Sequence, residues 1–263
     1  MNISYFISLI TAVFIGGAAG YVGSLMATKK MSLVGDVLSH IALPGIGLGL
    51  LYGVNVSLGA LASLILGIML IWILSLKTEL SMESLVGVVF VLSLAVGFLI
   101  TPEEELLRAL FGDISAVALS DAVAAVFISV VVFIAAKMIY SKMMLAYVSE
   151  DLALAIGVKI NKYNLIYLFL IAAVVAFGIK VGGTLLTSAM IIVPAAVARN
   201  VSRNMRQYSW LSVIVGVASA IVGFAVFPFL AERFGLSAVA IGPVIILASI
   251  VFFAVSLIFK NNK

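Results

Sequence analysis

Residues 35–49 read GDVLSHIALPGIGLG. Apolar residues dominate, enough for the stretch to lie in a membrane. Yet it holds Asp36, the single histidine of the chain (His40), Pro44 and four glycines. An aspartate and a histidine four apart share one face of a helix. An ionisable side chain in hydrocarbon costs about 3 kcal/mol on insertion scales, so such a pair belongs against a bundle interior or an aqueous path. Pro44 has no N–H to give to the carbonyl of His40, four residues back, and releases that carbonyl one turn from the imidazole. Asp36, His40, the His40 carbonyl and, as a further candidate, Ser39 can therefore converge on one small polar cavity.

A carboxylate and an imidazole without sulfur suit zinc, manganese or iron as divalent ions. Two side-chain ligands are too few for a structural zinc site, which normally has four. An ion in transit must also leave, so an incomplete site fits transport. The plainer alternative is that Asp36 caps a helix near an interface and His40 bonds a neighbouring backbone group.

The surrounding chain makes the membrane setting plain. Of 263 residues, 65% are hydrophobic and 10% charged, with mean hydropathy +1.34. A soluble domain has about 45–50% apolar and about 25% charged residues. The expected fold is an all-α integral membrane protein, a bundle of about nine spanning helices within a range of eight to ten. They fall near 5–27, 33–52, 56–76, 82–100, 120–140, 163–180, 183–199, 209–228 and 240–259. Only the turn Val181-Gly182-Gly183 parts the sixth from the seventh. The weaker, alternating ten-residue segments of a barrel are absent. The first run is too long for a signal peptide's apolar core and has no basic residue before it. The whole of 1–263 is expected to form one transmembrane domain.

There is no cysteine, which excludes disulfides, thiolate metal ligands and a cysteine nucleophile. The net charge of +4 is spread among apolar runs, which points to topology and not to nucleic-acid binding. With the N-terminus outside and the C-terminus inside, only Arg108, Lys180 and Arg233 of the 15 lysines and arginines fall outside. The positive-inside rule selects that orientation. Gly16, Gly20 and Ser24 lie four apart on one face, as do Gly45, Gly49 and Gly53, a spacing that lets helix backbones approach.

Two connections are long, an outer one at 101–119 with Glu103, Glu104 and Glu105, and an inner one at 141–162. Within the latter, residues 149–157 have a helix grammar: Ser149 to cap, Glu150 and Asp151 in the first turn, Gly157 to close. This segment is too short to span and suits a surface for another subunit. The basic inner segment RNVSRNMRQ, 199–207, suits headgroup contact. No Gly-Lys pair exists, so a phosphate-binding loop is excluded. Hydrolase and zinc-protease signatures are also missing, and no enzymatic activity is expected of this chain.

Four segments together resemble one family. GDVLSHIALPGIGLG is similar to its G-D-x-x-x-H-x-x-L-P-G element. LFGDISAV at 110–117 resembles L-F-G-x-I-x-x-V. EDLALAIGV at 150–158 resembles acid-x-A-x-x-x-G-V. IKVGGTLLTSAMIIVPAAVAR at 179–199 resembles I-K-x-x-G-x-L-L-x-x-x-x-I-x-P-A-A-x-A-R. The family is the membrane permease subunit of bacterial and archaeal ABC importers for zinc, manganese or iron, and the match runs over about residues 30–255. Gly242-Pro243 is similar to a further Ser-Gly-Pro element, with Ile241 in place of the serine.

The resemblance implies a type II ABC importer-like, multi-pass permease in the cytoplasmic membrane. It implies two permease copies, two ATP-binding cassette ATPase subunits and an extracellular metal-binding protein. Asp36 and His40 would line the metal path, and the cargo would be a transported ion with no permanently bound cofactor. Leu110, Phe111, Gly112 and Asp113 would form an outer gate. Glu150, Asp151, Ala153, Ala155 and Gly157 would lie on the helix that couples to the ATPase. Two other transport readings stand beside this one: a proton-coupled secondary metal transporter with Asp36 and His40 as a relay, and a permease for a metal chelate, whose bulky cargo would not need Asp36 beside His40.

Overall fold

The computed structural model describes residues 3–28, 34–54, 56–102, 117–235 and 241–259. Among these there are ten helices and no strand. They are α1 (Ile3–Thr28), α2 (Val34–Ile41), α3 (Leu43–Leu51), α4 (Val56–Lys77), α5 (Met82–Ile100), α6 (Leu119–Val148), α7 (Glu150–Ala155), α8 (Ile160–Val201), α9 (Met205–Phe234) and α10 (Ile241–Ile258). Nine stretches of the described residues are long and apolar enough to cross a membrane. The broken pair α2–α3 supplies one of them, Val34–Leu51, and α8 supplies two, Ile160–Ile179 and Gly182–Val201.

Gly183 divides α8. Its φ of 77° and ψ of 174° lie outside helical space, in a region that only glycine enters at low cost. Gly178 and Thr187, nine residues apart, come into contact across it. A straight helix would hold them about 13 Å apart, so the chain reverses here. The turn expected at 181–183 is therefore a hairpin between two spans, here called α8a and α8b.

α1 is the central helix. It packs against α9, α8 and α6, and its expected small-residue face is the contact. Gly16 meets the backbone of Gly216, and Gly20 that of Ser212. The Ser212 hydroxyl donates to the Gly20 carbonyl at 2.6 Å, and Ser24 donates to Ser209 at 3.1 Å. A methyl built on Gly16 would sit 2.9 Å from the Gly216 carbonyl oxygen. The second glycine face divides: Gly45 and Gly49 lie against Gly59 of α4, whereas Gly53, at φ 65°, faces open space just beyond α3. α4 and α5 are peripheral, with broad apolar faces such as Leu66, Val91 and Phe98 left exposed.

Two helices outrun the sequence expectation. α6 continues to Val148 and α9 spans Met205–Phe234, 30 residues each. At about 45 Å they exceed a hydrocarbon core of about 30 Å. A window of apolar residues marks the greasy part of a helix. The polar turns that carry it past the membrane, such as Tyr140-Ser141-Lys142, lie outside that window. Most of the connection expected at 141–162 is thus helix.

Candidate metal path at the α2–α8 interface

Asp36 stands in the first turn of α2 and His40 in its last. Both are half-buried. α2 is an eight-residue amphipathic helix that buries Gly35, Leu38, Ser39 and Ile41. Its opposite face carries the carboxylate and the ring. It stops after Ile41 because Pro44 sits in the first turn of the next helix, α3. Hydroxyls from neighbouring segments bond two carbonyls around the break. Ser63 of α4 donates to the Ile41 carbonyl at 2.6 Å. Thr101 donates to that of Leu43 at 3.2 Å.

His40 Nδ1 lies 2.9 Å from the Asp36 carbonyl oxygen. A carbonyl only accepts, so the proton must be on Nδ1. In the neutral ring that leaves Nε2 with its lone pair, the arrangement that metal-ligating imidazoles adopt. Phe90 of α5 meets the ring edge to face, with centroids 5.6 Å apart and an interplanar angle of 88°, and limits its rotation. Ser39 is fully buried and donates to the Asp36 carbonyl at 2.6 Å, so its hydroxyl is committed to the backbone.

The Asp36 carboxylate has a partner from far along the chain. Ser188, on α8b, donates to Oδ1 at 2.8 Å. Sequence spacing could not find this contact, which joins residues 152 apart. The only hint was that Thr184 and Ser188 stand one turn apart on an apolar helix. With respect to the described residues, the site therefore presents one carboxylate oxygen without a hydrogen-bond partner and one imidazole nitrogen. Among the described residues no third acid or other metal-binding side chain joins them. Two such donors can hold a divalent ion that keeps most of its water, and release it again.

The expected coupling segment forms α7. Ser149 accepts from the Leu152 N–H at 3.2 Å, Glu150 and Asp151 occupy the first turn, and Gly157 closes the helix at φ 80°. Ala153 is fully buried against its own chain. The outward surface is made by exposed Leu152, Leu154, Ala155 and Ile156. At the end of the bundle where α6 and α8b finish, a cavity of about 420 Å³ is lined by Thr28, Tyr147, Arg199, Arg203 and Tyr208. It takes in the start of the basic 199–207 segment and none of the residues around Asp36. The outer-gate residues Leu110, Phe111, Gly112 and Asp113, and the acidic run 103–105, lie outside the described residues.

A family model described as "ABC 3 transport family" matches residues 4–260. The manganese import system permease protein ScaB of Streptococcus gordonii is 30% identical over 253 residues, covering 95% of this chain and 88% of that protein. The high-affinity zinc uptake system membrane protein ZnuB of Haemophilus influenzae is 30% identical over 267 residues, covering 98% of each. Among solved structures, PsaBC from Streptococcus pneumoniae in complex with Fab superposes with a TM-score of 0.80 at 26% identity. That match covers 97% of this chain and 91% of the other.

Proposed function

This chain belongs to the ABC 3 transport family, and from that premise we propose that it is the permease subunit of an ATP-driven importer. Its cargo is a divalent transition-metal ion, zinc, manganese or iron, crossing the cytoplasmic membrane of a bacterium or archaeon. Its multi-pass architecture of nine apolar spans among the described residues supports this reading, as do relatives named for manganese and zinc uptake. Hydrolysis of ATP belongs to a separate cassette subunit, and an extracellular binding protein delivers the ion. A second copy of the chain completes the pathway, with the N-terminus outside and the C-terminus inside.

The observation that carries the proposal is the pairing of Asp36 with a His40 ring whose Nε2 is left open by the Nδ1 contact. A proton relay would also use an acid and an imidazole. It has no need of α7, which with the residue that follows it offers a small apolar face, at 152, 154, 155 and 156, to another subunit. ATP-driven movement of that subunit would reach α8, which begins at Ile160, four residues after the last of them.

Coupling is tested by Leu154→Arg combined with Ala155→Arg, two exposed positions where bulk and charge are tolerated by this chain itself. The purified complex is expected to lose the ATPase or to hydrolyse ATP without moving metal. Normal co-purification with normal uptake of ⁵⁴Mn²⁺ or ⁶⁵Zn²⁺ would remove α7 from the mechanism. Uptake driven by a proton gradient in vesicles lacking any ATPase subunit would overturn the importer reading itself.

A further inference from the structure

Ser188 of α8b meets α2 at Asp36, and Thr184 stands one helical turn before it on the same face of α8b. Two contacts fix the register. Gly35 lies against Ile191, and Asp36 accepts from Ser188. As the number rises along α2 it falls along α8b, so the helices run antiparallel. One turn beyond Asp36 and Ser188, the register brings Thr184 to the level of His40.

The two hydroxyls are in different states. Ser188 is 6% exposed and has two acceptors at the same distance: Asp36 Oδ1 at 2.8 Å and the Thr184 carbonyl at 2.8 Å. A hydroxyl has one proton, so it serves one acceptor fully at a time. Thr184 is 1% exposed, and its Oγ1 has no hydrogen-bond partner. Threonine on a helix ordinarily bonds the carbonyl one turn back. Thr187 does so, to the Gly183 carbonyl at 2.8 Å. Thr184 directly follows the reversal at Gly183 and has no helical turn before it to bond, so its buried oxygen is left for a partner from outside the helix, such as an ion or water.

We propose that Thr184 and Ser188 form the second wall of the metal path: Ser188 positions the Asp36 carboxylate so that its other oxygen meets the ion, and Thr184 receives a water of the ion's hydration shell. This rests on the reading of Asp36 and His40 as the metal site. It extends their donor set to a second helix, the one that leads back to α7. When the carboxylate is empty, the Ser188 proton satisfies it in an apolar surrounding. When an ion neutralises it, the Thr184 carbonyl is an equally near alternative acceptor. The ion can thus enter and leave without either state stranding the hydroxyl.

The test uses the intact importer in cells, with uptake of Mn²⁺ and of Zn²⁺ measured separately, and thermal unfolding of the purified complex. Four variants are compared with wild type: Asp36→Ala, Ser188→Ala, Ser188→Thr and Thr184→Val. Ser188→Ala is expected to raise the KM for the transported metal about tenfold with little change in maximal rate, as loss of an outer partner of a metal ligand does. Ser188→Thr should restore most of it. Thr184→Val keeps the shape and removes the orphaned hydroxyl. It should raise KM about fivefold, the size of one neutral hydrogen bond, while the unfolding temperature stays the same or rises. A purely structural threonine would give no change in KM. If Asp36→Ala abolishes uptake and the α8b variants keep wild-type KM, the second wall is refuted and the metal site stands. If Asp36→Ala transports normally, the site itself is refuted.

Discussion

Two helix interfaces in this molecule are built from the same small polar residues and reach opposite ends. Between α1 and α9, Gly16 faces Gly216, Gly20 faces Ser212 and Ser24 faces Ser209. The backbones touch, and the facing serine hydroxyls are bonded: Ser24 and Ser212 across the seam, Ser209 to the Met205 carbonyl. Between α2 and α8b, Gly35 faces Ile191 and Asp36 faces Ser188, but Thr184 is left without a partner. Along its glycine–serine seam the first interface is closed, although Ser8 farther up α1 and Tyr208 on α9 are buried without a partner. The second is short by one hydrogen bond, and leaving a buried hydroxyl unpaired costs about 1–3 kcal/mol. Small residues bring helices together in both places. A carboxylate, present in only one of them, is what sets the two apart.

The comparison can be broken most forcefully at the carboxylate. Asp36→Ala, or His40→Ala, should lower metal uptake by more than about 100-fold, beyond the 10–100-fold typical for outer partners of metal ligands. Expression and unfolding temperature should stay near wild type, because neither side chain fills the core. Radiometal uptake beside detergent-solubilised melting curves decides the matter. Well-expressed variants with normal uptake would make the α2 interface as structural as that of α1.

Gly16→Ala probes the other side. Its methyl would lie 2.9 Å from the Gly216 carbonyl oxygen, with backbone and not a pliable side chain in the way. The cost of such overpacking is about 1–3 kcal/mol. A lower melting temperature is expected, with an unchanged KM in whatever fraction remains folded. A changed KM with unchanged stability would show that the α1 seam takes part in transport. The smallest effect is expected for Ser63→Ala, which unpairs the Ile41 carbonyl at the end of α2. About 1 kcal/mol of stability is at stake, read as a small shift in melting temperature.

Much of this was legible in the sequence, for identifiable reasons. Hydrocarbon demands apolar runs of a set length, so the spans showed themselves, including the division at Gly183. Asp36 and His40 were visible because helical spacing is local and charges are rare in such runs. The contact between Asp36 and Ser188 was not. It depends on which face of α8b meets α2, and an almost uniformly apolar helix has no amphipathic pattern to declare its faces. For the same reason Ala153 could not be told from Ala155, although one is buried and the other exposed. Pro44 announced a break, but the spacing pointed to the His40 carbonyl. The partners seen, Ser63 and Thr101, serve the next carbonyls along, at Ile41 and Leu43.

The hairpin at Gly183 makes α8a a lever. From Ile160 to Gly182 it is an unbroken helix about 34 Å long, with α7 at its base and the reversal toward Ser188 at its tip. A tilt of about 5° at the base would sweep the tip through about 3 Å. The Ser188–Asp36 hydrogen bond is 2.8 Å long and does not survive a displacement of that size. A small angular change at the α7 end of α8a would thus be magnified into the making or breaking of a single bond near its other end.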